Sequence, residues 1–200
     1  MKNHILPAIK LTLVCIVFFV IGYTAVVWGI GQIIAPNHGK GETINYNNSN
    51  GILKYGFVNI GQTFTDDKYF WSRPSACNYK ADASGGSNKG PTNEDYLKSV
   101  SAAVDTFMLK NPYIKKSDIP VEMVTSSGSG LDPNISPKAA LIQVPRISKI
   151  RNITKEKLIN LVNLNTEEPL LGLFGPSKVN VLKLNIALDA LQGTNNVLVK

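Results

Sequence analysis

Histidine is nearly missing from this sequence. Of 200 residues only His4 and His38 carry an imidazole, so everything beyond residue 38 lacks one. That removes a Ser-His-Asp triad and a His-based metal site from most of the chain, although a Ser-Lys pair stays open. Cysteine is equally scarce. Cys15 lies in an apolar run and Cys77 stands alone far from it, so no bridge between them is expected. A domain outside the cytoplasm without disulfides favours a bacterial envelope over a eukaryotic secretory route. No G-x-x-x-x-G-K-[ST] motif occurs. The nearest thing to a phosphate cradle is SGGSNKGP (84–91), where Pro91 removes one N–H that such a nest would offer. The adjacent pairs Asp66-Asp67 and Glu167-Glu168 have no spacing that makes an acid/base couple. No catalytic constellation and no metal site is read from these residues.

A third absence is charge between residues 11 and 35. LTLVCIVFFVIGYTAVVWGIGQIIA holds 25 residues without one ionisable acid or base of full charge, and fourteen are Leu, Ile, Val or Phe. As a helix it reaches roughly 37 Å, enough to cross a hydrocarbon core of about 30 Å with some tilt. It is longer than a signal-peptide core and has no small-x-small cleavage site, so a retained transmembrane helix is predicted. Lys2 and Lys10 precede it and no positive charge follows before Lys40. The positive-inside rule then leaves residues 1–10 in the cytoplasm and places the remainder outside. The net charge is +7, and residues from 36 onward hold 19 of the 21 basic and all 14 acidic side chains, a net +5. The lysines are scattered without interleaved aromatics, which argues against nucleic acid. They suit an acidic partner or anionic headgroups.

The Asn- and Gly-rich stretch 36–52 reads as a linker into one domain over 53–200. Loose alternation over 52–64 predicts a strand or two, and 65–93 is a long loop whose Tyr69, Phe70 and Trp71 need a surface to cover. A helix is predicted to start after Thr92 or Asn93, where Thr92-x-x-Asp95 resembles a capping box, and to run to Lys110 with an apolar stripe that is core. VEMV (121–124) reads as a short strand. Ser136 caps a helix with Pro137 at its first position, and Pro145 breaks it. Thr154 begins a third helix to Leu164, Val179 and Val181 alternate like a strand, and NIALDALQ (185–192) makes a last helix. Helices and strands mix without βαβ rhythm, so the domain is predicted to be α+β.

Five motifs occur in order after the single span: YFWSRPSA (69–76), SGGSNKGPTN (84–93), VTSSGSGLDPNISPKAA (124–140), QVPRISKIRN (143–152) and VNVLKLNIALD (179–189). Together they closely resemble the KdpC family, the C subunit of the bacterial high-affinity potassium-transporting ATPase. The resemblance implies a single-pass cell-membrane protein in complex with a pore-forming, potassium-binding subunit and a P-type ATPase subunit. The chain itself lacks the D-K-T-G phosphorylation loop of P-type pumps, and one span cannot enclose a carbonyl-lined filter. An accessory role in assembly or stabilisation is therefore implied, with potassium handled by the partner subunits. The family is described as a catalytic chaperone raising the pump subunit's affinity for ATP, and a glutamine at the position of Gln143 is implicated in nucleotide contact. The charge flanks place Gln143 outside the cell, where ATP is scarce; read from its residues alone, it bonds backbone groups freed by Pro145.

Candidates for partner contact are Trp71, Arg73, Pro74, Ser84, Gly85, Gly86, Ser87, Asn88, Gly90, Gly130, Asp132 and Arg146. Trp71 reads equally well as core. In the span, Gly22, Gly29 and Gly31 would allow close helix approach. The alternative from another class is a free-standing, membrane-tethered binding domain or enzyme.

Overall fold

The computed structural model describes residues 2–47, 53–192 and 197–199. They form two compact units, Met1–Glu42 and Thr43–Lys200.

The first unit is α1 (Lys2–Cys15), a π-helical stretch Ile16–Gly22 and α2 (Tyr23–Ile34). His4–Ile34 is long and apolar enough to cross a membrane. The helix begins before the uncharged run, so part of the short N-terminal stretch is helical too. Its apolar side chains face outward along its length, as Phe18, Phe19 and Ile33 show. Hydrocarbon, not water, suits such a surface, because a helix bonds its interior N–H and C=O groups within the segment. Beyond Ile34, Ala35 turns extended and Pro36–Gly39 makes a tight turn with Asn37 and His38 left-handed. The Gln32 side chain closes the turn by donating to the His38 carbonyl at 3.0 Å. Gly22 and Gly29, seven residues apart, share a face, whereas Gly31 lies on the opposite one.

The second unit mixes helices with two small antiparallel sheets, as predicted. One sheet has the order β2-β1-β6, from β1 (Thr43–Asn47), β2 (Leu53–Phe57) and β6 (Val197–Val199). The stretch 36–52 thus contains a strand: Thr43 pairs with Phe57, and Ile44 is buried. Ile44 joins Val58, Leu182 and Ile186 in a small cluster, and that burial fixes the strand where the Asn-rich composition reads as linker. Ile52 lies outside the described residues.

The other sheet, β3-β5-β4, uses β3 (Asn134–Ile135), β4 (Thr166–Glu167) and β5 (Lys178–Asn180). Around it pack α3 (Glu94–Lys110), α4 (Pro137–Leu141), α5 (Val144–Arg151), α6 (Lys155–Leu164) and α7 (Val181–Ala190). Their common core includes Phe70, Phe107, Ile147, Leu158, Leu184 and Leu188. Several local expectations need correction. Of the two expected starts of α3, Asn93 and not the Thr92 capping box supplies the cap, its side chain accepting from Tyr96 N at 2.9 Å. VEMV is a 3-10 turn over Val121–Met123; Pro120 precedes it, and Thr125 Oγ1 donates back to the Val121 carbonyl at 2.8 Å. Strand β5 stops at Asn180 because that side chain accepts from Lys183 N and starts α7 at Val181. Ser136 does cap α4, accepting from Ala139 N at 3.1 Å, and the helix breaks ahead of Pro145. Thr154 precedes α6 without a side-chain cap bond.

Candidate functional site

The site grows from one irregular segment, residues 65–80. A buried loop with no sheet partner must bond its backbone somewhere else. Here side chains from α5 and α7 supply the bonds. Asn185 accepts from Phe70 N and donates to Phe70 O, both at 2.9 Å, while Phe70 itself is fully buried. Gln143 Oε1 accepts from Trp71 N at 2.8 Å. Arg146 donates to the Asp67 carbonyl, and Arg151 Nε donates to the Lys68 carbonyl at 2.8 Å.

The same arginines hold the aromatic side chains. Arg146 lies 4.5 Å from the Trp71 ring centre and Arg151 lies 4.6 Å from that of Tyr69. Arg151 also pairs with Asp189 at 2.7 Å, and Tyr69 OH donates to the same carboxylate at 3.0 Å. Burial, then the Asp189 charge, raises the Tyr69 pKa above its usual value. Trp71 packs edge-on to Phe107, so it is half core and half surface.

Gln143 is fully buried and every polar side-chain atom is engaged. Besides Trp71 N, its oxygen accepts from Arg146 Nη2 at 2.7 Å, and its nitrogen donates to the Ala139 carbonyl at 3.0 Å. The break before Pro145 explains the last bond: Gln143 N turns to Ala140 O, leaving the Ala139 carbonyl to the side chain. Arg146 completes its bonding through Asn111 Oδ1 at 3.1 Å. Burial lowers its pKa to about 10, which leaves it charged at neutral pH, held by carbonyl and amide oxygens.

Beyond Trp71 the chain builds a second knot. Arg73 pairs with Asp132 at 2.7 Å, and Asp132 also accepts from Asn134 N, as expected of a turn residue. Ser75 Oγ donates to Gly130 O at 2.7 Å and accepts from Tyr79 N. Two Ser/Gly loops, 84–91 and 126–133, meet here: Gly85 N donates to Ser129 O at 2.9 Å, and Ser84 Oγ donates to the same carbonyl. Gly86 lies against Gly128, where a Cβ would be 3.0 Å from its carbonyl. The Gly85 N–H is therefore committed to the second loop rather than offered to a phosphate. Ser87, Asn88 and Gly90 are exposed and stand apart from this contact. Between the segment and α3 runs a cleft of about 710 Å³ lined by Trp71, Arg73, Pro74, Phe107, Lys110 and Met123, among others.

Gly130 is the tightest point. Its φ is +68°, and a Cβ would sit 2.6 Å from Cys77 Sγ and 2.9 Å from Gly85 O. Gly130→Ala is expected to lower domain stability by about 2 kcal/mol, from the left-handed backbone and the overpacking together. Thermal unfolding of the full chain checks this.

A profile of the family described as "KdpC: K+-transporting ATPase, c chain" matches residues 5–190. The chain belongs to the KdpC family. Several members named "Potassium-transporting ATPase KdpC subunit" are similar over nearly their whole length. The one from Flavobacterium psychrophilum is 50% identical over 192 residues, covering 96% of this chain and 100% of its own. The Bacteroides fragilis protein is 48% identical over 190 residues, 94% of this chain and 97% of its own. That of Bacillus cereus is 47% identical over 191 residues, 95% and 97% respectively.

In this KdpC-family fold, the structure brings Arg73, Gly85, Gly86 and Asp132 together around the buried Gly130, and Trp71 lies next along the segment with Gln143 and Arg146 against it. Sequence reasoning missed Asn185, Asp189, Arg151, Ser75 and Tyr79. Asn185 and Asp189 stand four apart on α7, a signal that one polar edge of that helix faces a partner segment. Among the described residues no group of three or more His, Cys, Asp or Glu side chains could hold a metal ion.

Proposed function

We propose that the chain is the membrane-anchored accessory subunit of a potassium-importing ATPase, with residues 43–200 outside the cell. In this reading it assembles and stabilises a pore-forming subunit and a P-type ATPase subunit. The nucleotide is bound by the ATPase subunit and potassium by the pore, and this chain holds neither. The observation that carries the reading is the bonding of the site. Apart from Arg73 Nε, which is buried without a hydrogen-bond partner, the polar groups described above are bonded to one another, so what the surface offers is a rigid shape around Trp71, Arg73 and the two glycine loops, not a reactive group. Gln143 belongs to that interior bonding. A nucleotide could reach it only after Trp71, Arg146 and the Ala139 carbonyl had lost their partner. Support of the pump subunit's ATP use then acts through subunit contact. The flanking charges, Lys2 and Lys10 before the span against none after it until Lys40, favour the outside placement.

Placement is tested through Cys77. Cys77 is a free, partly exposed thiol outside the apolar helix, which makes it a usable reporter. In a Cys15→Ser background, a membrane-impermeant maleimide is expected to label Cys77 in intact cells as fully as in lysed cells. Labelling only after lysis would reverse the orientation and reopen nucleotide contact. Affinity purification of the tagged full chain is expected to recover both partner subunits. Recovery of the chain alone would favour the tethered, free-standing domain.

A further inference from the structure

We propose that the tip formed by residues 169–176 is a docking knob that enters an apolar recess on another membrane-embedded subunit of the complex. This rests on the accessory-subunit reading above and names a surface that the reading leaves open. The tip has no charge from Pro169 to Ser177. It exposes four large apolar side chains within five residues: Leu170 70%, Leu171 80%, Leu173 80% and Phe174 63%. Soluble domains scatter such residues singly; a contiguous cluster marks a contact surface.

The shape of the tip is set in advance. Leu170 and Phe174 exchange both backbone bonds at 3.0 Å, Gly172 N donates to Pro169 O at 2.8 Å, and Leu173 N donates to Leu170 O at 3.1 Å. Leu171 and Gly172 both have left-handed backbones, φ 56° and 71°. A leucine resists that conformation, so the turn is imposed by its hydrogen bonds. The result displays the apolar side chains instead of folding them onto the core.

Two observations favour a protein recess over lipid. A fluid bilayer has no use for a pre-shaped turn, whereas a recess does. Peripheral insertion loops also combine apolar residues with a basic rim for anionic headgroups. Here the two nearby lysines are balanced by Glu167 and Glu168 together, with Glu167 facing Lys178 at 3.5 Å and Lys183 at 3.6 Å. Glu168 accepts from Ser177 Oγ at 2.7 Å. The matching recess is therefore uncharged and lined by aliphatic or aromatic side chains.

The test uses the tagged full chain expressed with its complex. A benzophenone amino acid at position 173 is expected to cross-link to a second polypeptide, and the same probe at exposed position 156 is not. Leu171→Asp with Leu173→Asp is expected to reduce co-purified partner about tenfold or more, in line with loss of an interface anchor. Its thermal unfolding midpoint stays at the unsubstituted value, because these side chains support no core. Cross-links to lipid alone, or none, with the complex still recovered, would overturn the docking knob and leave the accessory role intact. Failure of the unsubstituted chain to bring down any partner would overturn both.

Discussion

Gln143→Leu is expected to lower the stability of the folded domain by about 3–5 kcal/mol, the scale of a buried charge that loses its partner. Leucine fits the volume of the site but accepts no hydrogen bond. Trp71 N and Arg146 Nη2 would each lose an acceptor, and the Ala139 carbonyl its donor. The guanidinium loss dominates, since Arg146 is 6% exposed and has no carboxylate bonded to it to take over. Gln143→Glu should behave differently. It keeps an acceptor for both donors and sets a negative charge against the guanidinium, which offsets the acceptor-against-acceptor contact it creates at the Ala139 carbonyl, so a loss of about 1–2 kcal/mol, smaller than that of leucine, is expected. Denaturant unfolding of the full chain in detergent, followed by tryptophan fluorescence, measures both. The order of the two variants decides the role. A glutamine whose task is to touch ATP predicts no stability change for leucine. It also predicts the larger functional loss for glutamate, which would repel phosphate.

Much of the fold was legible because it follows from local rules. The 25-residue uncharged run, the Ser136-Pro137 start and the Pro145 break all act through backbone hydrogen bonding within a few residues, and each appears where the rule places it. The glycine loops could be picked out as packed, since their composition allows close backbone approach. What stayed hidden is the clamp on residues 65–80. Asn185 and Phe70 are 115 positions apart, and a side chain bonding an irregular backbone leaves no periodic trace in the sequence. The NIALD run reads as an ordinary helix with two polar residues, and nothing local says that Asn185 is buried. Asn180 misled for a related reason. Val179 and Val181 alternate, yet the asparagine between them converts strand into helix within one residue. In both cases an asparagine side chain stands in for backbone.

Asn185→Leu should cost about 2–4 kcal/mol, because both Phe70 N and Phe70 O would be left buried without partners. Asn185→Asp is a useful second variant: it retains the acceptor for Phe70 N but turns acceptor against acceptor at Phe70 O. It is expected to fall at least as far as leucine. The consequence extends beyond stability. Phe70 lies between Tyr69 and Trp71, whose rings are held by Arg151 and Arg146 five residues apart on α5. Releasing Phe70 releases the register of both stacks, so recovery of partner subunits should fall together with the unfolding midpoint. The knob variant Leu171→Asp with Leu173→Asp should lose partner recovery with the midpoint unmoved. Urea titration and co-purification on the same preparations separate the two. An Asn185→Leu chain that melts normally would mean that residues 65–80 hold their shape without α7. The clamp would then be incidental to the surface that Trp71 and Arg73 present.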